Sequence, residues 1–243
     1  MNDATSPGEL PTTGTAFRFP MLYSAAFVVA AFALSGWAWT QLAPEARVPI
    51  HWDANGKVNG YAGRGSLFLM PGLMVFEMLL FRFIPVFEPR KTNLMSSSKA
   101  YKAVWLGLIT FLGAMHVVMI LAALGRPVSM DRFAMTGIGV LFAVMGNFLG
   151  KVRSNFFFGV RTPWTLSSDL AWNKTHRLAG WMFVVFGAGL ALASVLHIDG
   201  RLLMNALLGF VAVLIATVVP YSYLVWRKDP TRSPSAAPAR TRS

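Results

Sequence analysis

Six apolar runs punctuate the chain, at residues 21–42, 66–85, 104–124, 133–150, 178–196 and 202–226. Each is continuous rather than alternating, which predicts helices and not barrel strands. Each is close to the roughly 20 residues that a helix needs to cross a hydrocarbon core of about 30 Å. The first run is too long, and its leader too weakly basic, for a cleaved secretory signal, so it reads as an anchor. The expected fold is an all-α integral membrane protein of about six transmembrane helices. Its expected layout is a tail over 1–19, a three-helix membrane domain over 20–125, a second over 131–226, and a basic tail over 227–243. Both tails are polar or Pro/Ser/Ala-rich and read as disordered.

Composition agrees with a bilayer as solvent. Of 243 residues, 55% are hydrophobic and 13% charged, against about 25% charged in an ordinary soluble domain. Cysteine is absent, which excludes disulfides and thiolate metal sites. The net charge of +12 reads as cytoplasmic loops facing anionic lipid, with no direct nucleic-acid partner expected. Sixteen of the 22 basic residues fall on one side if the N-terminus is cytoplasmic. The positive-inside rule then puts both termini in the cytoplasm.

Two loops are too patterned to be spacers. The outer one reads Pro49-Ile-His-Trp-Asp-Ala-Asn-Gly56. Asn55-Gly56 is a strong turn signal between 48–52 and 57–61, predicting a small hairpin on the outer face. His51 and Asp53, beside Trp52, point the same way on a strand. They read either as part of a metal or proton site or as braces for the turn, and two ligands alone do not make a zinc site.

The inner loop begins near Gly146-Asn147 and runs through Asn155, Gly159, Arg161, Thr162, Trp164, Thr165, Asp169, Trp172, His176 and Arg177. Ser167 or Ser168 can cap a helix whose first turn carries Asp169. Asp169, Trp172, Asn173 and His176 follow helical spacing and are expected on one face. Arg161, Thr162 and the free amides at the helix start would form a pocket for a phosphate headgroup or an acidic side chain. The alternative is an Arg161–Asp169 pair with the tryptophans at the interface. The sequon Asn173-Lys-Thr175 faces the cytoplasm and is discounted.

The inner-loop run, from Asn155 through Arg161-Thr-Pro-Trp164 to Thr175-His-Arg177 and Gly180, resembles the signature of the SdpI family of bacterial membrane proteins. Pro49–Gly56 resembles the domain of unknown function that accompanies it. The resemblance implies a multi-pass protein of the bacterial cytoplasmic membrane that confers immunity to a secreted toxic protein. It also implies signalling, by holding a transcriptional repressor at the membrane. On this reading the partners are the lipid bilayer, a secreted toxin outside and a cytoplasmic repressor inside, with no cofactor, metal or catalytic residue.

Within the membrane, Glu77 and His116 are ionisable and candidates for function by default. Antiparallel packing would put them at similar depth, where they could pair as a proton or ion relay; the plainer readings are a structural hydrogen bond or a protonated Glu77 that is merely tolerated. Asn147, beside Gly146 and Gly150, marks close helix packing. Two other functions stay open: a proton-coupled transporter using Glu77 and His116, and a lipid-acting enzyme using Asp169, His176 and Arg161. No nucleophile elbow, Walker loop, dinucleotide fingerprint or H-E-x-x-H helix is present.

Overall fold

The computed structural model describes residues 16–232. Six long helices carry the chain back and forth: α1 (Arg18–Gln41), α2 (Leu69–Phe87), α3 (Ser98–Ala123), α4 (Met130–Leu149), α5 (Asp169–Val195) and α6 (Gly200–Arg227). All six are long and apolar enough to cross a membrane, α2 together with the 3-10 turn Arg64–Phe68 that leads into it. The protein is thus a multi-pass all-α membrane protein, as the apolar runs predict.

Helix ends follow local chemistry. Ser168 caps α5 by accepting the Ala171 amide at 2.9 Å, and Asp199 caps α6 by accepting those of Arg201 and Leu202 at 3.0 and 3.1 Å. Beyond α3, Gly125 turns left-handed with φ +73, and its amide bonds back to the Ala122 carbonyl. His197 does the same after α5 with φ +66, the one non-glycine in that region among the described residues. Arg64 lies 3.9 Å over the Trp39 ring and donates to the Leu42 carbonyl at 2.9 Å, placing a cation at the carboxyl end of α1.

The tail boundaries fall differently from expectation. Residues 1–15 and 233–243 lie outside the described residues. Ala16 and Phe17, placed in the N-terminal tail, are buried against Tyr101 and Trp105, and α1 already starts at Arg18. Arg227 still belongs to α6, and Asp229 beyond it is buried. Polar composition hid these ends because their few apolar and acidic groups find partners only in the folded chain.

The helices group as α1–α3 and α4–α6, which meet within the membrane along α3 and α4. The tightest pair is α4 with α5, where small residues let backbones touch. A Cβ added at Gly146 would stand 2.6 Å from the Gly180 carbonyl oxygen, and one at Gly187 2.5 Å from that of Gly139. Without a hydrophobic drive between helices in lipid, such close backbone approach supplies the association.

A hairpin joins the two groups outside. Strands β1 (Val48–Trp52) and β2 (Val58–Ala62) pair antiparallel around Asn55-Gly56, with irregular register at His51. The second strand starts one residue later than the turn signal predicts. Val48 packs into a cluster with Leu67, Val118 and Met130, which draws from both groups. At the tip, Gly56 lies against Asp131, and the Ala54 carbonyl lies against Gly200. The turn therefore rests on the starts of α4 and α6.

Gly146→Ala should destabilise the protein by about 1–3 kcal/mol through overpacking, measured by unfolding in detergent. Gly189→Ala on α5, where nothing lies within 4 Å of the added carbon, should be near neutral. Equal losses at both positions would contradict the close-packed α4–α5 seam.

Candidate functional site

After α4 the chain folds back over the cytoplasmic ends of the helices, and local polar groups set its path. The buried Asn155 accepts the amides of Phe157 and Phe158 at 3.0 and 2.7 Å and donates to the Arg153 carbonyl at 3.0 Å. This side-chain turn lifts the three phenylalanines out of helical geometry. Gly159 follows with φ +111, and a side chain there would collide with the His176 ring. The Val160 amide then donates to His176 Nε2 at 2.9 Å, while His176 Nδ1 donates to the Trp172 carbonyl at 2.8 Å. A carbonyl can only accept, so the ring is the neutral tautomer with its proton on Nδ1. Trp172 stacks on His176 at 3.9 Å between ring centres, and its indole N–H donates to the Val152 carbonyl at 2.7 Å.

The loop next makes a short helix, Pro163–Leu166, closed by a reciprocal cap between Thr162 and Thr165. The Thr162 hydroxyl also reaches Ser222 on α6 at 3.0 Å, and Trp164 meets Tyr223 edge-on at 5.2 Å. Ser168, while capping α5, donates its hydroxyl to Asp229. The Ser168 hydroxyl, then the Thr231 hydroxyl and amide, hold the Asp229 carboxyl below the usual carboxylate range. Its tether is therefore intact at neutral pH and is lost only as pH falls through that lowered value.

The other helix group clasps this loop. Glu88, at the end of α2, is fully buried. Its carboxylate accepts the Phe156 amide at 3.0 and 3.3 Å and the Arg90 amide at 2.8 Å. The Arg90 guanidinium bonds Ser154, donates to the Leu166 carbonyl at 3.2 Å and lies 4.9 Å over the Phe156 ring. Asn93 donates to the Ser154 carbonyl at 2.8 Å, and Ser97 accepts the Arg153 amide at 2.8 Å. Four side chains from residues 88–97 thus fasten the start of the loop. Sequence reasoning missed all four. The available signal was Glu88 itself, the lone acid in an inner loop otherwise basic, just past Pro85.

Several expectations about this loop need correction. Asp169, Trp172, Asn173 and His176 keep their helical spacing on α5 but do not form one exposed surface: Trp172 and His176 are buried, whereas Asp169 and Asn173 are exposed. The buried stripe is instead Trp172, Thr175, His176, Ala179 and Gly180, the surface that α5 turns inward. The anion pocket is not assembled. The Thr165 and Ala171 amides are taken by Thr162 and Ser168, and Arg161 donates to the Phe156 carbonyl instead of pairing with Asp169. Facing the cytoplasm are Arg161, Asp169, Asn173 and Arg177, with Trp164 half-buried. Asn147 is exposed and lines a shallow cavity with Lys151, Arg177 and Trp181.

On the outer face Asp53 braces the turn by accepting the Asn55 and Lys57 amides at 2.9 and 3.0 Å. His51 bonds the Asn59 side chain at 2.5 Å, and Trp52 is half-buried. No group of three metal-ligating side chains exists among the described residues. Within the membrane Glu77 and His116 are both buried but not paired. His116 Nε2 bonds Ser35 at 3.1 Å and lies 3.2 Å from the Ala31 carbonyl, while both Glu77 oxygens lack partners among the described residues.

Residues 151–224 match the SdpI/YfhL protein family, and residues 26–75 match a domain of unknown function, DUF1648. The chain is 25% identical over 183 residues to the Immunity protein SdpI of Bacillus subtilis (strain 168), covering 75% of this chain and 86% of that protein. No solved structure matches it.

His176→Leu leaves the half-buried Val160 amide without an acceptor, a loss of about 1 kcal/mol. Trypsin should then cut at Arg161 faster than in the parent protein; an unchanged rate would contradict the role given to His176.

Proposed function

We propose, from the match of residues 151–224 to the SdpI/YfhL protein family, that the chain is an SdpI-like immunity protein of the cytoplasmic membrane. It meets a secreted toxic peptide or protein at its outer face. Its inner loop passes the event to a cytoplasmic partner, a transcriptional repressor held at the membrane. The observation that carries this reading is the likeness to an immunity protein over three quarters of the chain.

The geometry supports a division of labour between the faces. The hairpin tip lies against Asp131 and Gly200, so a ligand that displaces the turn acts on α4 and α6 directly. Indoors, Arg161, Asp169, Asn173 and Arg177 offer a mixed-charge surface on a loop whose buried side is fixed by Asn155, Thr162, Thr165, Trp172 and His176. Rigid support beneath an exposed polar surface suits recognition. The two domains, 20–125 and 131–226, act on this reading as one unit because the hairpin and residues 88–97 join them.

We read the chain as non-enzymatic. The lipid-acting alternative needs Asp169, His176 and Arg161 around one reacting atom. Here His176 is buried with both ring nitrogens committed, and Asp169 is exposed.

Expression in a sensitive bacterium should raise survival when the secreted toxic protein is added. Gly56→Val, which forces a branched side chain onto a left-handed turn against Asp131, should abolish that protection. Arg161→Ala with Arg177→Ala should keep protection and lose recruitment of the repressor to the membrane. No gain in survival on expression would contradict immunity, and intact recruitment in the double variant would remove the loop from signalling.

A further inference from the structure

Among the described residues, eight buried side-chain atoms make no hydrogen bond, and four of them belong to Ser24, Glu77 and Trp105. Ser24 and Trp105 are completely buried and Glu77 is 6% exposed. The three sit on α1, α2 and α3, and their register places them at one level. An inner apolar cluster holds Phe81, Tyr101 and Trp105, with Met21 and Met78 against it. An outer one holds Val28, Met74 and Ile109. Ser24 lies one turn from both Met21 and Val28. Glu77 lies one turn from both Met74 and Phe81, and Trp105 one turn from both Tyr101 and Ile109. Residues three or four apart share a helix face, so all three residues face the same layer between the clusters.

The neighbouring ionisable groups are spoken for. Tyr101 donates to the Phe81 carbonyl at 2.5 Å, Tyr23 bonds Thr110 at 2.9 Å, and His116 bonds Ser35. Arg18, Arg82, Lys99 and Lys102 belong to the cytoplasmic ends of the same helices. Among the described residues no cation bonds Glu77, and an unpaired carboxylate at that depth is strongly disfavoured.

We propose that Ser24, Glu77 and Trp105 form a proton-holding site, in which Glu77 is a neutral carboxylic acid and one internal water links the three. The water accepts from the Trp105 indole N–H and the Glu77 O–H and donates to the Ser24 oxygen, about the three bonds that a buried water makes. A metal cation fits poorly, because the indole can only donate and presents its hydrogen to the site. The site lies next to the loop: Tyr101, whose hydroxyl bonds one turn from Glu77, meets Phe158 edge-on at 6.3 Å.

Full-length protein in phosphatidylcholine vesicles should be treated with dicyclohexylcarbodiimide, an apolar reagent for neutral carboxylic acids, and digested for mass spectrometry. The expected result at neutral pH is an adduct on Glu77, lost in Glu77→Gln and unaffected by sodium or potassium chloride. An unlabelled Glu77 in folded protein would overturn the proposal, and protection by either salt would make this a cation site instead. The infrared carbonyl band of the Glu77 acid should shift in Ser24→Ala and in Trp105→Phe; a band unmoved in both would overturn the shared water.

Discussion

A buried carboxylate must find hydrogen-bond donors or destabilise the fold that buries it. Glu88 finds one of its donors 68 residues away, in the amide of Phe156. This requirement ties the end of α2 to the loop after α4, and therefore the first three helices to the last three. Arg90, Asn93 and Ser97 extend the same fastening to Ser154, Leu166 and Arg153. The loop then has one path. Its remaining polar groups are used to hold that path: Asn155 turns it, His176 receives Val160, and Thr162 and Ser168 anchor it to α6 and to Asp229 beyond it.

The outer hairpin makes the complementary connection. Its turn chemistry is local, with Asp53 capping the amides that the Asn55-Gly56 reversal leaves open. Its placement is not local, because the tip rests on the first turns of α4 and α6. In the bilayer itself the two helix groups meet mainly along α3 and α4, where Gly107 lies beside Leu141 and Gly137 beside Phe111. Polar and turn contacts at the two faces thus supplement a narrow apolar seam.

Much of this was legible in the sequence, for reasons that differ by element. Apolar run length predicts the helices because lipid forces each backbone to satisfy itself. Asn55-Gly56 predicts the hairpin because positive φ is a local property. Ser168 as a cap and Gly146 as a close-packing position were readable for the same reason. Helical spacing aligned Asp169 and Asn173 with Trp172 and His176 but did not separate exposed from buried, since a stripe of 3.6 periodicity shows which residues align but not which side faces α4. Conspicuous chemistry also misled. Arg161 and His176 look like a site, yet His176 is a neutral acceptor for one amide. Glu77 and His116 look like a pair, yet His116 is held by Ser35 and the α1 backbone. Glu88, which organises the loop, stands out only as the lone acid among basic residues, because its partners are backbone amides that leave no mark in the sequence.

The central claim is that Glu88 holds the cytoplasmic loop to the first helix group. Amide hydrogen exchange in Glu88→Ala tests it most directly. Removing the acceptor should cost about 1–3 kcal/mol and raise exchange across residues 153–166 by roughly 5- to 150-fold, with the six helices still protected. Exchange in that loop equal to the parent's, in a protein whose helices remain protected, would contradict the account.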